Sequence, residues 1–146
     1  MDYDILFANK IKSKSPKHSD IVVFKTDFKN KMGINKNFIK RVIGIEGDKI
    51  VITNGKVYVN DVLLDEPYIK VDYTHGDIDI IVPYNKVFVM GDNRDNSFDS
   101  RSPEVGCIDV SSIKAIVPFR FYPFNKFGKV NWIHLAIVFQ RIDTIL

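Results

Sequence analysis

Two stretches of the chain carry side chains suited to moving protons. The first is Asn37-Phe38-Ile39-Lys40-Arg41-Val42-Ile43-Gly44-Ile45-Glu46-Gly47-Asp48, a strand-like run in which two adjacent cations interrupt apolar residues. Alternation puts Phe38, Lys40 and Val42 on one face and Ile39, Arg41 and Ile43 on the other. One reading is an edge strand whose cations reach back to water. The other makes one of them a general base, and only Lys40 qualifies, because a guanidinium stays protonated. A lysine with pKa ~10.4 is neutral in only about one molecule in 250 at pH 8, so the role demands burial, at ~1.4 kcal/mol for each tenfold weakening of its hold on the proton.

The second stretch is Gly91-Asp92-Asn93-Arg94-Asp95-Asn96-Ser97-Phe98-Asp99-Ser100-Arg101, directly after the apolar Val87-Phe88-Val89-Met90. Nine of its eleven side chains are charged, amide or hydroxyl. A segment this polar at the end of an apolar strand lies in water or satisfies itself, and two Arg among three Asp favour internal pairing. Ser97 is the natural hydroxyl to bond and orient a lysine amine. A calcium loop starting at Asn93 would use Asp95, Ser97, Asp99 and Glu104, but Phe98 stands where the sharp turn needs glycine and two arginines bring cations to the site. No metal is expected there.

The elements that must position these residues read as mostly β. Runs rich in β-branched and aromatic residues recur at residues 21–24, 38–45, 49–53, 56–59, 87–90 and 115–122. Asn54-Gly55 between two such runs predicts a two-residue type I′ hairpin, because that turn needs two positive φ angles. Asn60-Asp61 predicts a second turn into Val62-Leu63-Leu64, a meander and not a βαβ unit. Residues 65–86, with Pro67, Gly76 and Pro83, read as a looser excursion. At the carboxyl end, Leu135, Phe139, Ile142 and Leu146 fall at helical spacing, so residues 132–146 are expected to form an amphipathic helix, docked on the sheet or lying on a membrane surface.

Composition bounds the rest. With 146 residues, 45% hydrophobic and 12% aromatic, one globular domain is expected. The single Cys107 excludes an internal disulfide and a multi-Cys zinc site. The net charge is +3, and the first 40 residues hold nine Lys and four Asp without Arg or Glu. Lysines without clustered Arg and aromatics are a poor nucleic-acid footprint, so no nucleic-acid partner is expected; a solvated face or anionic lipid headgroups fit better. The longest strongly apolar stretch, residues 132–139, falls short of the ~18 residues of a membrane span, and Met1-Asp2-Tyr3-Asp4 does not open a signal peptide.

Lys40-Arg41-Val42-Ile43-Gly44 followed by Gly47-Asp48, together with the whole run from Gly91 to Arg101, resembles the two downstream signature boxes of bacterial type I signal peptidases. Ser19-Asp20-Ile21-Val22-Val23-Phe24 and Arg120-Phe121-Tyr122-Pro123-Phe124-Asn125-Lys126 extend the likeness from about residue 2 to about residue 128. The resemblance implies a mainly β fold of antiparallel sheets, with residues 1–129 as the catalytic-type domain and 130–146 as a carboxyl-terminal amphipathic segment. It implies a Ser-Lys serine endopeptidase that removes signal peptides from exported preproteins, held at the cell membrane with its catalytic face outside the cytoplasm, and it implies no cofactor. Carried over by position, Lys40 is the general base and Ser97 orients it. Asp92, Arg94, Asp99 and Arg101 form supporting ion pairs. Phe38 and Ile39 line the small-residue pocket, on a strand whose backbone pairs with extended substrate.

The sequence departs from that pattern in two places. Glu46 stands where a Pro is usual, which is expected to alter a turn and little else. The family's nucleophile lies in a Ser-Met-x-Pro-Thr-Leu box a few residues before a Gly-Asp; Asp2 corresponds to that Asp, and the box is not found in these 146 residues. Ser13, Ser15 and Ser19 have no Met-x-Pro context. A base without nucleophile or oxyanion donors hydrolyses essentially no amide, so the chain as written is expected to be inactive. A start placed too far downstream, a truncated gene, and a non-catalytic homologue that binds signal peptides or membrane surface each account for this.

Overall fold

Residues 15–117 are described by the computed structural model, and within them the chain builds one sheet, leaves it for a second, and returns. β1 (Ile21–Lys29) and β2 (Asn35–Ile45) form a long antiparallel hairpin, in register from Ile21 opposite Arg41 to Lys25 opposite Asn37, with a register shift before Lys29 pairs with Asn35. Its turn is organised by Asn30, whose Oδ1 accepts from the Met32 and Ile34 amides at 2.9 and 3.0 Å. Both strands outrun their apolar runs, since β pairing continues through Lys25–Lys29 and Asn35–Asn37, where the side chains are mostly polar.

After β2 the chain turns at residues 46–48 into the second sheet, made of β3 (Lys49–Thr53), β4 (Lys56–Val59), β5 (Val62–Leu63) and β6 (Ile78–Ile81), ordered β5-β4-β3-β6. Asn54 and Gly55 take φ of 50° and 76°, and Asn60 and Asp61 take 52° and 66°. These are the left-handed pairs of tight hairpins, and both turns fall where the sequence puts them. β6 overturns the reading of residues 65–86 as loop alone: it pairs with the free edge of β3, Lys49 opposite Ile81 through Ile52 opposite Ile78. Four residues preceded by one aspartate and interrupted by another give little local signal, and the strand exists because β3 offers an edge.

β7 (Lys86–Met90) returns to the first sheet beside β2, and β8 (Ile108–Asp109) and β9 (Ile113–Val117) close its edges in the order β8-β7-β2-β1-β9. Two apolar clusters hold the sheets. Val22, Phe24, Phe38, Val42, Val87 and Val89 belong to one; Ile43, Phe88 and Met90 join Ile50, Ile52 and Val57 of the second sheet in the other. β2 and β7 thus contribute to both clusters, which is why β7 reads as an apolar run after Lys86 and β2 carries apolar residues on both faces. The mainly β architecture of antiparallel sheets matches the sequence expectation. Residues 118–122 of the last predicted strand and the helix expected at 132–146 lie outside the described residues. Among the described residues no helix is long and apolar enough to cross a membrane.

Candidate active site

The centre of the first sheet holds the two cations of the first motif. β2 is an interior strand, so neither Lys40 nor Arg41 reaches out to water, and both residues are 0% exposed. That removes the edge-strand reading and leaves each cation in need of partners on its own face.

On one face, Lys40 Nζ donates to Ser97 Oγ at 2.9 Å and stands 5.7 Å from the centre of the Phe38 ring. The serine is brought there by the loop after β7. A single 3-10 turn, Arg94–Asn96, reverses the chain, and Ser97 then returns to extended backbone. Ser100 draws the loop back alongside β7, its Oγ accepting the Val89 amide at 2.9 Å and its own amide donating to Val89 O at 3.1 Å. Gly91 forms the seat beneath Ser97: a β-carbon built on Gly91 would lie 2.2 Å from Ser97 Oγ and 3.5 Å from Lys40 Nζ. Only a residue without a side chain leaves room for the pair.

Burial pushes the Lys40 amine below 10.5, the nearby Asp99 carboxylate opposes it, Arg101 adds to it, and Asp92 opposes it more weakly. The balance is a lysine biased toward the neutral form. Asp99 is itself wholly buried, accepting from the Gly91 amide at 3.0 Å and from Arg101 Nε and Nη2, both at 2.9 Å. Burial alone would raise its carboxyl, but the Arg101 hydrogen bonds and charge, with Gly91 and the Ser97 hydroxyl, hold it below 3.8.

On the other face, Arg41 is clamped by Asp92 at 2.8 and 2.6 Å, donates to Ser19 O at 3.0 Å, and lies 3.9 Å over the Tyr68 ring. The expected ion pairs are therefore only partly internal to the loop. Asp99 and Arg101 pair with each other, whereas Asp92 takes Arg41, and Arg94 takes Glu66 from the excursion between β5 and β6. Arg94 also donates to Thr74 Oγ1 and Gly91 O, both at 2.9 Å. Glu66, Tyr68 and Thr74 carry no signal in the sequence; Glu66 and Thr74 lie 28 and 20 positions from Arg94 and Tyr68 lies under Arg41, contacts that only the fold makes.

Phe38 is buried in a group of rings with Phe24, Phe28 and Phe98, of which Phe98 is the exposed member at 37%. Ile39 is half-buried and by alternation points to the Arg41 face, away from Phe38. β7 pairs with β2 only from Arg41 onward, and no described strand takes the edge of Asn35–Lys40 on that side. Glu46, in place of the usual Pro, accepts the Asn85 amide at 2.8 Å and ties the β2–β3 turn to the β6–β7 connection.

The chain is similar to known proteins along most of its length. The chain is 37% identical to signal peptidase I S of Bacillus subtilis over 123 residues, covering 77% of this chain and 62% of that protein. It is 38% identical to signal peptidase IB of Staphylococcus aureus over 111 residues, 64% of this chain and 57% of that one. The chain thus spans a little over half the length of these curated relatives. Among solved structures, a signal peptidase I from Enterococcus faecalis V583 superposes with a TM-score of 0.60 at 27% identity, covering 72% of this chain and 98% of that one. The family described as signal peptidase, peptidase S26, matches residues 1–122, and the chain belongs to that family.

Proposed function

We propose that this chain carries the general-base half of a Ser-Lys endopeptidase that removes signal peptides from exported preproteins at the outer face of the cell membrane. The observation that carries the reading is the buried Lys40 amine bonded to Ser97 Oγ at 2.9 Å. A neutral Lys40 takes the proton of an attacking serine hydroxyl as that oxygen bonds to the scissile carbonyl carbon. The resulting ammonium then returns the proton to the departing amine as the C–N bond breaks. Ser97 holds the amine so that its lone pair faces the reacting atoms. Asp99 and Asp92 keep the ammonium tolerable once it forms. Acyl transfer by a serine and an amine base draws on no cofactor.

The edge of Asn35–Lys40 that no described strand takes supports a place for substrate. An extended peptide adding there by β-augmentation would run beside the Lys40–Ser97 pair, with small residues before the cleaved bond. No serine of the 146 residues stands in the Ser-Met-x-Pro setting, so this polypeptide alone is read as binding without cutting.

The test is a peptide spanning a signal-peptide cleavage site, mixed with the chain and followed by titration and mass spectrometry. Saturable binding without cleavage is expected. Absence of binding, or cleavage that persists in Lys40→Ala, overturns the reading.

A further inference from the structure

Residues 64–77, between β5 and β6, lie against the loop that seats Ser97 and hold it at three points. Glu66 accepts from Arg94 Nη1 at 3.0 Å and from Arg94 Nη2, and Thr74 Oγ1 accepts from Nη1 at 2.9 Å. The carbonyl of His75 accepts from Arg101 Nη1 at 3.1 Å. Arg94 is 3% exposed and the Glu66 side chain 7% exposed. A guanidinium so buried needs a counter-ion.

The motif residues do not supply one. Arg41 and Arg101 occupy Asp92 and Asp99, and the motif's third carboxylate, Asp95, is half-exposed and stands 3.3 Å from His75 Nε2, so the counter-ion of Arg94 is Glu66. Arg94 in turn directs its Nε to the carbonyl of Gly91, while Asp99 holds the Gly91 amide. Both backbone groups of the seat beneath Ser97 are therefore fixed by buried charges, one of which is balanced from outside the motif.

We propose that Glu66 is a positioning residue for Lys40: by balancing Arg94 it fixes Gly91, and through Gly91 the seat of Ser97 and its bond to the lysine. The inference rests on reading Lys40 as the base. Asp99, Arg101 and Asp92 are the charges that weigh most on the Lys40 amine, and the path from Glu66 to Lys40 runs through the Arg94–Gly91 bond. Freed from Glu66, Arg94 follows water, the Gly91 carbonyl loses its donor, and the loop relaxes away from Lys40.

The experiment is the pH titration of Lys40 in the full chain carrying 13C-labelled lysine, its signal identified by its loss in Lys40→Met, with amide exchange at Gly91 and Ser97 measured alongside. Glu66→Gln is expected to move the Lys40 titration up toward the ordinary lysine range as water enters, and to cost Gly91 its slow exchange. A folded Glu66→Gln whose Lys40 titration and Gly91 exchange match the unmodified chain overturns the proposal, even if the variant is less stable. If Glu66→Gln does not fold, Thr74→Val decides, with a smaller shift in the same direction expected and no shift overturning it. An unmodified chain whose Lys40 titrates as an ordinary lysine sinks the base reading, and the exchange at Gly91 still judges the clamp.

Discussion

Gly91→Ala perturbs the Lys40–Ser97 pair with one carbon atom. The new β-carbon would lie 2.2 Å from Ser97 Oγ and 2.6 Å from Ser97 Cβ, whereas ordinary contact begins at 3.4 Å, so the serine must withdraw by about 1.2 Å. A bond of 2.9 Å stretched by that much is no longer a hydrogen bond. Overpacking of this kind costs about 1–3 kcal/mol, and the lost bond adds about 1 kcal/mol or more. Urea denaturation should therefore show a loss of about 2–4 kcal/mol. The distinguishing readout is Lys40, whose titration should change once Ser97 no longer holds the amine. Gly47→Ala is the matched control: its φ is +84° with nothing within 4 Å of the added carbon, so it carries a backbone cost of about 1–2 kcal/mol and leaves Lys40 alone. If Gly91→Ala costs no more than Gly47→Ala and the Lys40 titration is unmoved, Gly91 is not the seat of the pair.

Three other outcomes follow from the same contacts. Asp99 is held below 3.8 in the folded chain, so it contributes stability above that value which is lost as pH falls through its lowered pKa. Asp99→Asn should flatten this acid limb and cost up to about 3–5 kcal/mol near neutral pH, read by denaturant midpoints, because it strands Arg101, whose side chain is only 10% exposed. Lys40 is shifted the other way: between its lowered pKa and 10.5 the unfolded chain binds more protons, so stability rises with pH across that window. Lys40→Met should abolish the rise in denaturation series run from neutral to alkaline pH. Asn54→Val, at φ +50°, should cost about 1–2 kcal/mol in thermal or urea melts and move the Lys40 titration less than Gly91→Ala does, since the hairpin meets the loop's partners where Gly55 O accepts the Thr74 amide at 2.9 Å and not at Lys40 or Ser97.

What the sequence discloses and what it hides divide along sequence distance. The Asn54-Gly55 and Asn60-Asp61 turns follow from two residues each, and the structure has both. Lys40 and Ser97 are singled out by type and by likeness to a family pattern, although 57 positions separate them, and the fold brings them to 2.9 Å. Burial of Lys40 and Arg41 is not legible from alternation, which is the same for an edge strand and an interior one; the difference lies in β7 returning beside β2 after about forty residues in and around the second sheet. β6 is invisible for the same reason, being a strand only because β3 has a vacant edge. Pairing within the second motif is half legible: Asp99 and Arg101 are two residues apart and meet locally, while Asp92 and Arg94 find Arg41 and Glu66 across 51 and 28 positions. Buried charge takes whatever partner the topology delivers.

The functional reading stands on Lys40 being a lysine made into a base by its surroundings, and the pH titration of its side-chain 13Cε signal in the unmodified chain tests this most directly. The predicted result is a midpoint below 10.5, moved by changes to Ser97, Gly91 or the groups that hold them. A midpoint at or above 10.5 would contradict it, and would leave the chain a peptide-binding relative of the family with no base to offer.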